Sequence, residues 1–212
     1  MTRIAAVAVR SHSAVACRAA TLLCAALLAA CSGGELVGVH IDLQKDGSGK
    51  VTTRALVAGR AEAAEMRATG VTWNGTATLV SRQGTFAKIH ELGLGGATNQ
   101  GMRFSTPGAD DRPSLRVFLQ RGPDAGWVTE LVPDETARKA MAQIYDPTGK
   151  TREIGDTLRL EVSLPGDVVT SGVLPAGRGI EASREGRRAV LLIPVRTALT
   201  GDGEMVWDIS WR

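Results

Sequence analysis

Thiols and imidazoles are the side chains best suited to nucleophilic and metal chemistry, and this 212-residue chain has three Cys and three His. Spacing decides what they can do. His40 has Asp42 two residues on, and His90 has no His or Cys at ligand spacing. A pair without a third ligand is weak support for a metal, so His40 and His90 read as surface histidines. Serine catalysis needs a base held close to an activated hydroxyl. The chain has neither a Gly-x-Ser-x-Gly elbow nor a Ser-x-x-Lys motif. The run from Asp42 to Gly47 superficially resembles a calcium loop. Gln44 stands at its third position and Thr53 at its twelfth, where a carboxylate is needed, and Lys45 adds a repelling charge. Gly47-Ser48-Gly49-Lys50 lacks the first glycine of a phosphate loop and has Val51 in place of Ser or Thr. Gly93-Leu94-Gly95-Gly96 lacks the full dinucleotide fingerprint. The expectation is a protein without catalytic residues, metal or cofactor; a hydrolase of unknown type is the minor alternative.

Cys31 is different, because of what precedes it. Residues 1–30 hold Arg3, Arg10 and Arg18 but no acid, no Gly and no Pro, and residues 19–30 are almost wholly apolar. A basic front, a short apolar run and small residues make a secretory signal. About twelve apolar residues fall short of the ~20 that a spanning helix needs. The run ends Leu28-Ala29-Ala30-Cys31. This matches the bacterial lipobox, which implies cleavage before Cys31 and a diacylglyceryl thioether on its sulfur. Ser32-Gly33-Gly34 then reads as a flexible tether. The expected organisation is a lipoprotein signal over 1–30, a lipidated Cys and tether over 31–35, and one domain over 36–212.

Removing the leader changes the charge and the redox chemistry. The whole chain carries a net +3, and the leader holds three arginines and no acid. The mature chain of 182 residues is therefore neutral, with 22 basic and 22 acidic side chains. Nucleic-acid binding loses its electrostatic argument. Cys17 and Cys24 leave with the leader and Cys31 takes lipid, so the domain has no disulfide and no thiolate nucleophile.

All 25 Gly and all 8 Pro follow Cys31, and turn signals such as Asp46-Gly47, Pro165-Gly166 and Gly201-Asp202-Gly203 separate short alternating runs. That pattern predicts an α+β, β-rich fold: antiparallel sheets of hairpins with two short helices, over 59–69 and 134–145. Residues 36–43 and 51–57 form the first hairpin. Pairing Leu43 with Val51 sets apolar faces together and requires an odd loop of three or five residues. Residues 76–82 and 85–92 read as a second hairpin about Gln83-Gly84, although Phe86, Ile89 and Leu92 also suit one face of a short helix. Residues 93–101 are a glycine-rich surface loop. Strands follow at 102–106 and 115–120. Ala137, Ala140, Met141 and Ile144 recur at helical spacing behind Pro133-Asp134. Leu158, Leu160, Val162 and Leu164 alternate with polar residues, and 189–195 is apolar on both faces, which suggests a central strand.

Two surface features remain. Met205, Trp207, Ile209 and Trp211 share one face of the last strand. That face is either core or an apolar contact surface built on Trp207, Ile209 and Trp211. Arg178, Arg184, Arg187 and Arg188, mixed with Glu181 and Glu185, form a solvated edge or a patch for anionic head groups. The lipobox Cys, the hairpin from Ile41 to Val51, the late strand 158–164 ending in Pro165-Gly166-Asp167-Val168 and the Trp207 strand together resemble the LppM-type domain of bacterial lipoproteins. The resemblance implies a β-rich, non-enzymatic domain at the cell envelope, facing the periplasm or the exterior. It would be held to the membrane by lipid on Cys31 and would bind a lipid or another envelope component. The alternative is a structural or assembly lipoprotein that holds a protein partner.

Overall fold

The computed structural model describes residues 37–58, 71–73, 77–95, 101–107, 112–139 and 156–212. Leu28, Ala29, Ala30, Cys31 and the helix expected over 59–69 lie outside them. The strands are β1 (Val37–Leu43), β2 (Gly49–Ala58), β3 (Val71–Trp73), β4 (Ala77–Phe86), β5 (Met102–Ser105) and β6 (Ser114–Gln120). They continue with β7 (Thr157–Ser163), β8 (Val168–Leu174), β9 (Glu181–Glu185), β10 (Arg188–Pro194) and β11 (Glu204–Trp211). A seven-stranded sheet runs β3-β4-β2-β1-β7-β10-β9, and a four-stranded sheet runs β5-β6-β11-β8. The fold is β-rich, as the alternating runs predict.

The first hairpin keeps its expected faces. Its loop is five residues, 44–48, and the ladder sets Ile41 opposite Val51 and Val39 opposite Thr53. Leu43 meets Gly49 rather than Val51. A shift of two residues leaves every side chain on its own face, because the strand period is two. Inside the loop the Gly47 N–H donates to the Gln44 C=O at 3.1 Å with Gly47 at φ +84°, a backbone state that glycine adopts freely. Asp46 Oδ1 accepts from the Ser48 N–H at 3.0 Å and its hydroxyl at 2.7 Å. Asp46-Gly47 is thus turn chemistry and not part of a cation loop.

The second hairpin is not formed. β4 runs unbroken through Gln83-Gly84 and pairs with all ten residues of β2, from Gly49 opposite Phe86 to Ala58 opposite Ala77. A local Gly turn signal loses here to a long partner strand. Residues beyond Phe86 instead form a 3-10 turn, Ile89–Glu91, which buries Ile89. One pairing breaks the expected antiparallel pattern: β1 and β7 are parallel, with Val39 opposite Leu160. Parallel neighbours need a long crossover, and the rest of the first half of the fold supplies it.

The helix expected over 134–145 begins where its cap residues place it. Asp134 Oδ1 accepts the Ala137 N–H at 2.8 Å, an N-cap bond, and residues 135–139 are helical. Residues 140–145 lie outside the described residues. Two further short helices come from sequences without helical periodicity: α1 (Gly126–Thr129) and α2 (Val195–Thr200). α2 is short and rich in β-branched residues, so its sequence reads as strand continuing from β10.

The sheets bury their inner faces against each other. Val39, Ile41, Leu160 and Val162 from the larger sheet meet Met102, Phe104, Val117 and Trp207 from the smaller one. The pocket these residues line is about 10 Å³, room for at most one water. β10 is paired on both sides, by β7 and β9, as its apolar run predicts. Gly95, at φ +87°, holds the base of the glycine-rich loop against α1; a Cβ there would lie 2.1 Å from the Trp127 nitrogen.

Candidate functional site

Trp207, Ile209 and Trp211 do not form a contact surface. They are 0%, 1% and 7% exposed, and Trp207 Nε1 donates to Ser171 Oγ at 3.0 Å inside the fold. Alternation alone leaves a strand face free to be core or surface. The opposing sheet makes this one core, and an indole with its N–H paired is at home there. The opposite face of β11 meets solvent with its charges paired: Arg103 with Glu204, and Arg116 with Asp208 at 2.7 Å. The basic group near β9 is mostly engaged as well. Arg184 Nη1 donates to the Val168 C=O at 3.0 Å, Arg187 Nε to the Leu164 C=O at 2.9 Å, and Arg188 pairs with Glu161 at 2.9 Å.

Two charged clusters remain. The first lies on the outer face of the larger sheet, where three adjacent strands bring His40, Glu161 and Arg188 together. His40 lies directly opposite Glu161 across the β1–β7 ladder. Its Nδ1 is 3.4 Å from Glu161 Oε1 and its Nε2 is 3.1 Å from Asp42 Oδ1. Glu161 Oε2 accepts from Arg159 Nη2 at 2.7 Å and Nε at 3.0 Å, while Oε1 takes Arg188. The hydrogen bond from His40, joined by Arg159 and Arg188, lowers the Glu161 carboxyl from 4.5 to about 2. The same bond, joined by Asp42, raises His40 above 6.5 against the opposing effect of burial. Both imidazole nitrogens are held by carboxylates and both Glu161 oxygens by cations. Such a network clamps three strands together and leaves no lone pair placed for substrate. His90 sits exposed on its 3-10 turn.

The second cluster lines a cleft of about 710 Å³ between the helical turn 135–139, α2 and the start of β7. Among its wall residues are Glu135, Arg138, Lys139, Asp156, Arg196 and Thr200. Lys139 and Glu135 pair at 2.7 Å, which lowers the Glu135 carboxyl, with Arg138 and Arg196 adding to the effect. Arg138 is only 8% exposed. Its Nη1 reaches Asp156 Oδ1 at a long 3.4 Å, and its Nε is buried with no partner among the described residues. Arg196 makes no ion pair among them. Among the described residues the cleft therefore has a buried guanidinium that is incompletely used, beside Arg196, which makes no ion pair. A planar guanidinium fits a phosphate or carboxylate, and the volume falls in the range of small-molecule sites. Nothing in the sequence singled out Arg138, since its partner Asp156 comes from the segment after residue 155 and the other cleft walls from α2. Among the described residues no group of three or more His, Cys, Asp or Glu could hold a metal, and no helix is long and apolar enough to cross a membrane.

No known protein family, curated protein or solved structure matches the chain.

Proposed function

We propose that this chain is a lipid-anchored protein of the bacterial cell envelope. It would act without catalysis and bind an envelope component bearing an anionic head group. The observation that carries the reading is the leader ending in Leu28-Ala29-Ala30-Cys31. The short motifs shared with the LppM-type domain support the same place in the cell. The pocket lined by Val39, Ile41, Phe104 and Trp207 between the two sheets holds about 10 Å³, too little for a lipid chain. Recognition is better assigned to the cleft, where Arg138 and Arg196 supply positive charge for a phosphate or carboxylate. His40, with both nitrogens held by carboxylates, is poorly placed to act as a general base.

Two measurements test the two halves of this reading. Cells fed a labelled fatty acid are expected to label the wild-type chain and not Cys31→Ser, whose unprocessed precursor accumulates. Equal labelling of both would overturn the anchor. The full chain in non-ionic detergent is expected to bind inorganic phosphate or a short-chain phosphatidylglycerol saturably, and phosphatidylcholine weakly. Equal response to the charged and the zwitterionic lipid, without phosphate binding, would overturn the head-group assignment and leave the anchor standing. A second reading, an assembly lipoprotein with a protein partner, is favoured by one observation, Leu174 standing 69% exposed at the end of β8.

A further inference from the structure

The ladders place the cleft at one end of the fold. Val37, the first residue of β1, lies opposite Leu158, and Thr157, the first of β7, lies opposite Pro194, the last of β10. α2 starts at the next residue. The cleft walls Asp156, Thr157, Pro194 and Arg196 therefore stand at the end of the sheet where β1 begins. Neighbouring strands lie about 4.8 Å apart, so the start of β1 is roughly 10 Å from β10. α2 has the cleft on one side, where Arg196, Leu199 and Thr200 line it. On its other side runs the connection from β8 to β9. Thr197 Oγ1 donates to the Arg178 C=O at 3.0 Å, and a Cβ on Gly179 would lie 2.9 Å from Pro194. That connection reads Leu174-Pro175-Ala176-Gly177-Arg178-Gly179-Ile180. Leu174, Pro175, Ala176 and Arg178 are all exposed. Leu174, at 69%, is the one exposed large hydrophobic residue among those described. The opposite end, beyond Leu43 and Ser163, presents Lys45, Asp46 and Lys88 and no such residue among those described.

We infer that this end of the fold rests on the membrane that holds the anchor, with Leu174 in the interface and the cleft open to anionic phospholipid head groups of the same leaflet. The inference rests on the proposed anchor and cleft and adds how the two work together. Five residues separate Cys31 from Val37. That length of chain spans at most about 20 Å when fully extended, so lipid on Cys31 keeps the start of β1 that close to the bilayer. Leu43 lies six residues further along β1, again about 20 Å. Turning the far end to the membrane would use the whole reach of the tether. A short tether also sets an effective concentration of roughly millimolar order, so contacts too weak to recruit a free protein are enough to orient this one. The contacts are of the two kinds an interface takes, an apolar side chain and cations beside it. Arg138, with its Nε buried and unpartnered among the described residues, and Arg196 stand on the cleft side of α2. Leu174 and Arg178 stand beyond its other side. Glu181 and Asp202 are exposed at this end as well, so it is not a basic plate. Docking depends on these individual groups and not on net charge.

Depth in the bilayer is the test. The chain after the leader has no thiol besides Cys31, so an introduced Cys takes a fluorophore at one place. The lipidated chain bearing Ala176→Cys or Lys45→Cys is labelled and reconstituted in phosphatidylcholine vesicles, with or without phosphatidylglycerol, that contain a spin-labelled lipid as quencher. Both positions are exposed, so both variants keep the fold. With phosphatidylglycerol present, quenching at 176 is expected to exceed that at 45 by about threefold or more. Leu174→Asp, a change at an exposed side chain, is expected to cut the signal at 176 by about twofold or more. Arg196→Gln is expected to abolish the excess that phosphatidylglycerol gives over phosphatidylcholine. Equal quenching at the two ends, an unchanged signal in Leu174→Asp, or no response to phosphatidylglycerol overturns the inference. A label at 176 shielded from water but not quenched by lipid would put a second copy over Leu174 and also overturns it. The underlying reading fails separately. A chain that takes up no labelled fatty acid loses its anchor, one that binds no phosphate in detergent loses its cleft, and the docking falls with either. A chain that passes both and is quenched equally at 45 and 176 loses the docking alone.

Discussion

Glu161 and Arg138 are both held largely out of water, and the molecule treats them in opposite ways. Glu161 has each oxygen engaged by a cation, with His40, Arg159 and Arg188 drawn from three neighbouring strands. Arg138 has one long contact to Asp156 and a buried Nε without a partner among the described residues. A half-buried charge surrounded by opposite charges costs little and ties its elements together. A buried cation left partly unpaired costs stability and is kept where something else repays it. The difference separates charge used to hold the sheet from charge available to a ligand.

Glu161→Gln is expected to have the largest effect on stability. The native carboxyl sits at about 2 against 4.5 in the unfolded chain. Taken at face value that gap is about 3.4 kcal/mol. The bonded cations are partly exposed and screened, so about 1–2 kcal/mol is expected in urea unfolding at neutral pH. Phosphate binding at the cleft should not change. A variant as stable as wild type would remove Glu161 from the role of clamp.

The same network gives a pH signature of smaller size. Glu161 is lowered in the fold, so its contribution is present above pH 4.5 and is lost as pH falls toward about 2. His40 is raised, so its contribution is complete below pH 6.5 and fades as pH rises through its higher native value. The pair therefore stabilises most between about pH 4.5 and 6.5. His40→Gln is expected to remove the alkaline slope, under about 1 kcal/mol, and to leave much of the acid slope in place. An imidazole titration by NMR at or below 6.5 would break this assignment.

Much of the scaffold beneath these clusters was legible in the sequence. Leu158, Leu160 and Val162 alternate with Arg159, Glu161 and Ser163, and the fold buries the first set and exposes the second to varying degrees. The odd loop after Leu43 followed from which faces must meet. What failed was information that local sequence does not carry. Gln83-Gly84 resembles a turn until a ten-residue β2 needs a partner of equal length. Trp207 and Trp211 lie on a face that only the opposing sheet can declare core. The apposition of His40 to Glu161 depends on a parallel pairing between strands far apart in the chain. The cleft is less legible still. Arg138 stands on a predicted helix, but Asp156 reaches it, and Arg196 joins the same cleft, through the packing of the C-terminal third.

The smallest expected change in stability is also the one that decides the comparison. Arg138→Met keeps the stem's apolar packing and removes the guanidinium. If the charge were structural, its loss would cost several kcal/mol, as breaking a buried pair does. If it is held for an anion, desolvation of an incompletely paired cation disappears with it. Asp156 remains 42% exposed and keeps solvent as a partner. The expected result is therefore a change in unfolding free energy within about 1 kcal/mol of zero, in either direction. Phosphate binding is expected to weaken by about tenfold or more. Arg138→Lys separates charge from shape: an ammonium supplies the same charge without the planar fork, so it should restore only part of the binding. A strongly destabilised Arg138→Met with unchanged phosphate binding would place Arg138 beside Glu161 as a clamp and erase the distinction between the two clusters.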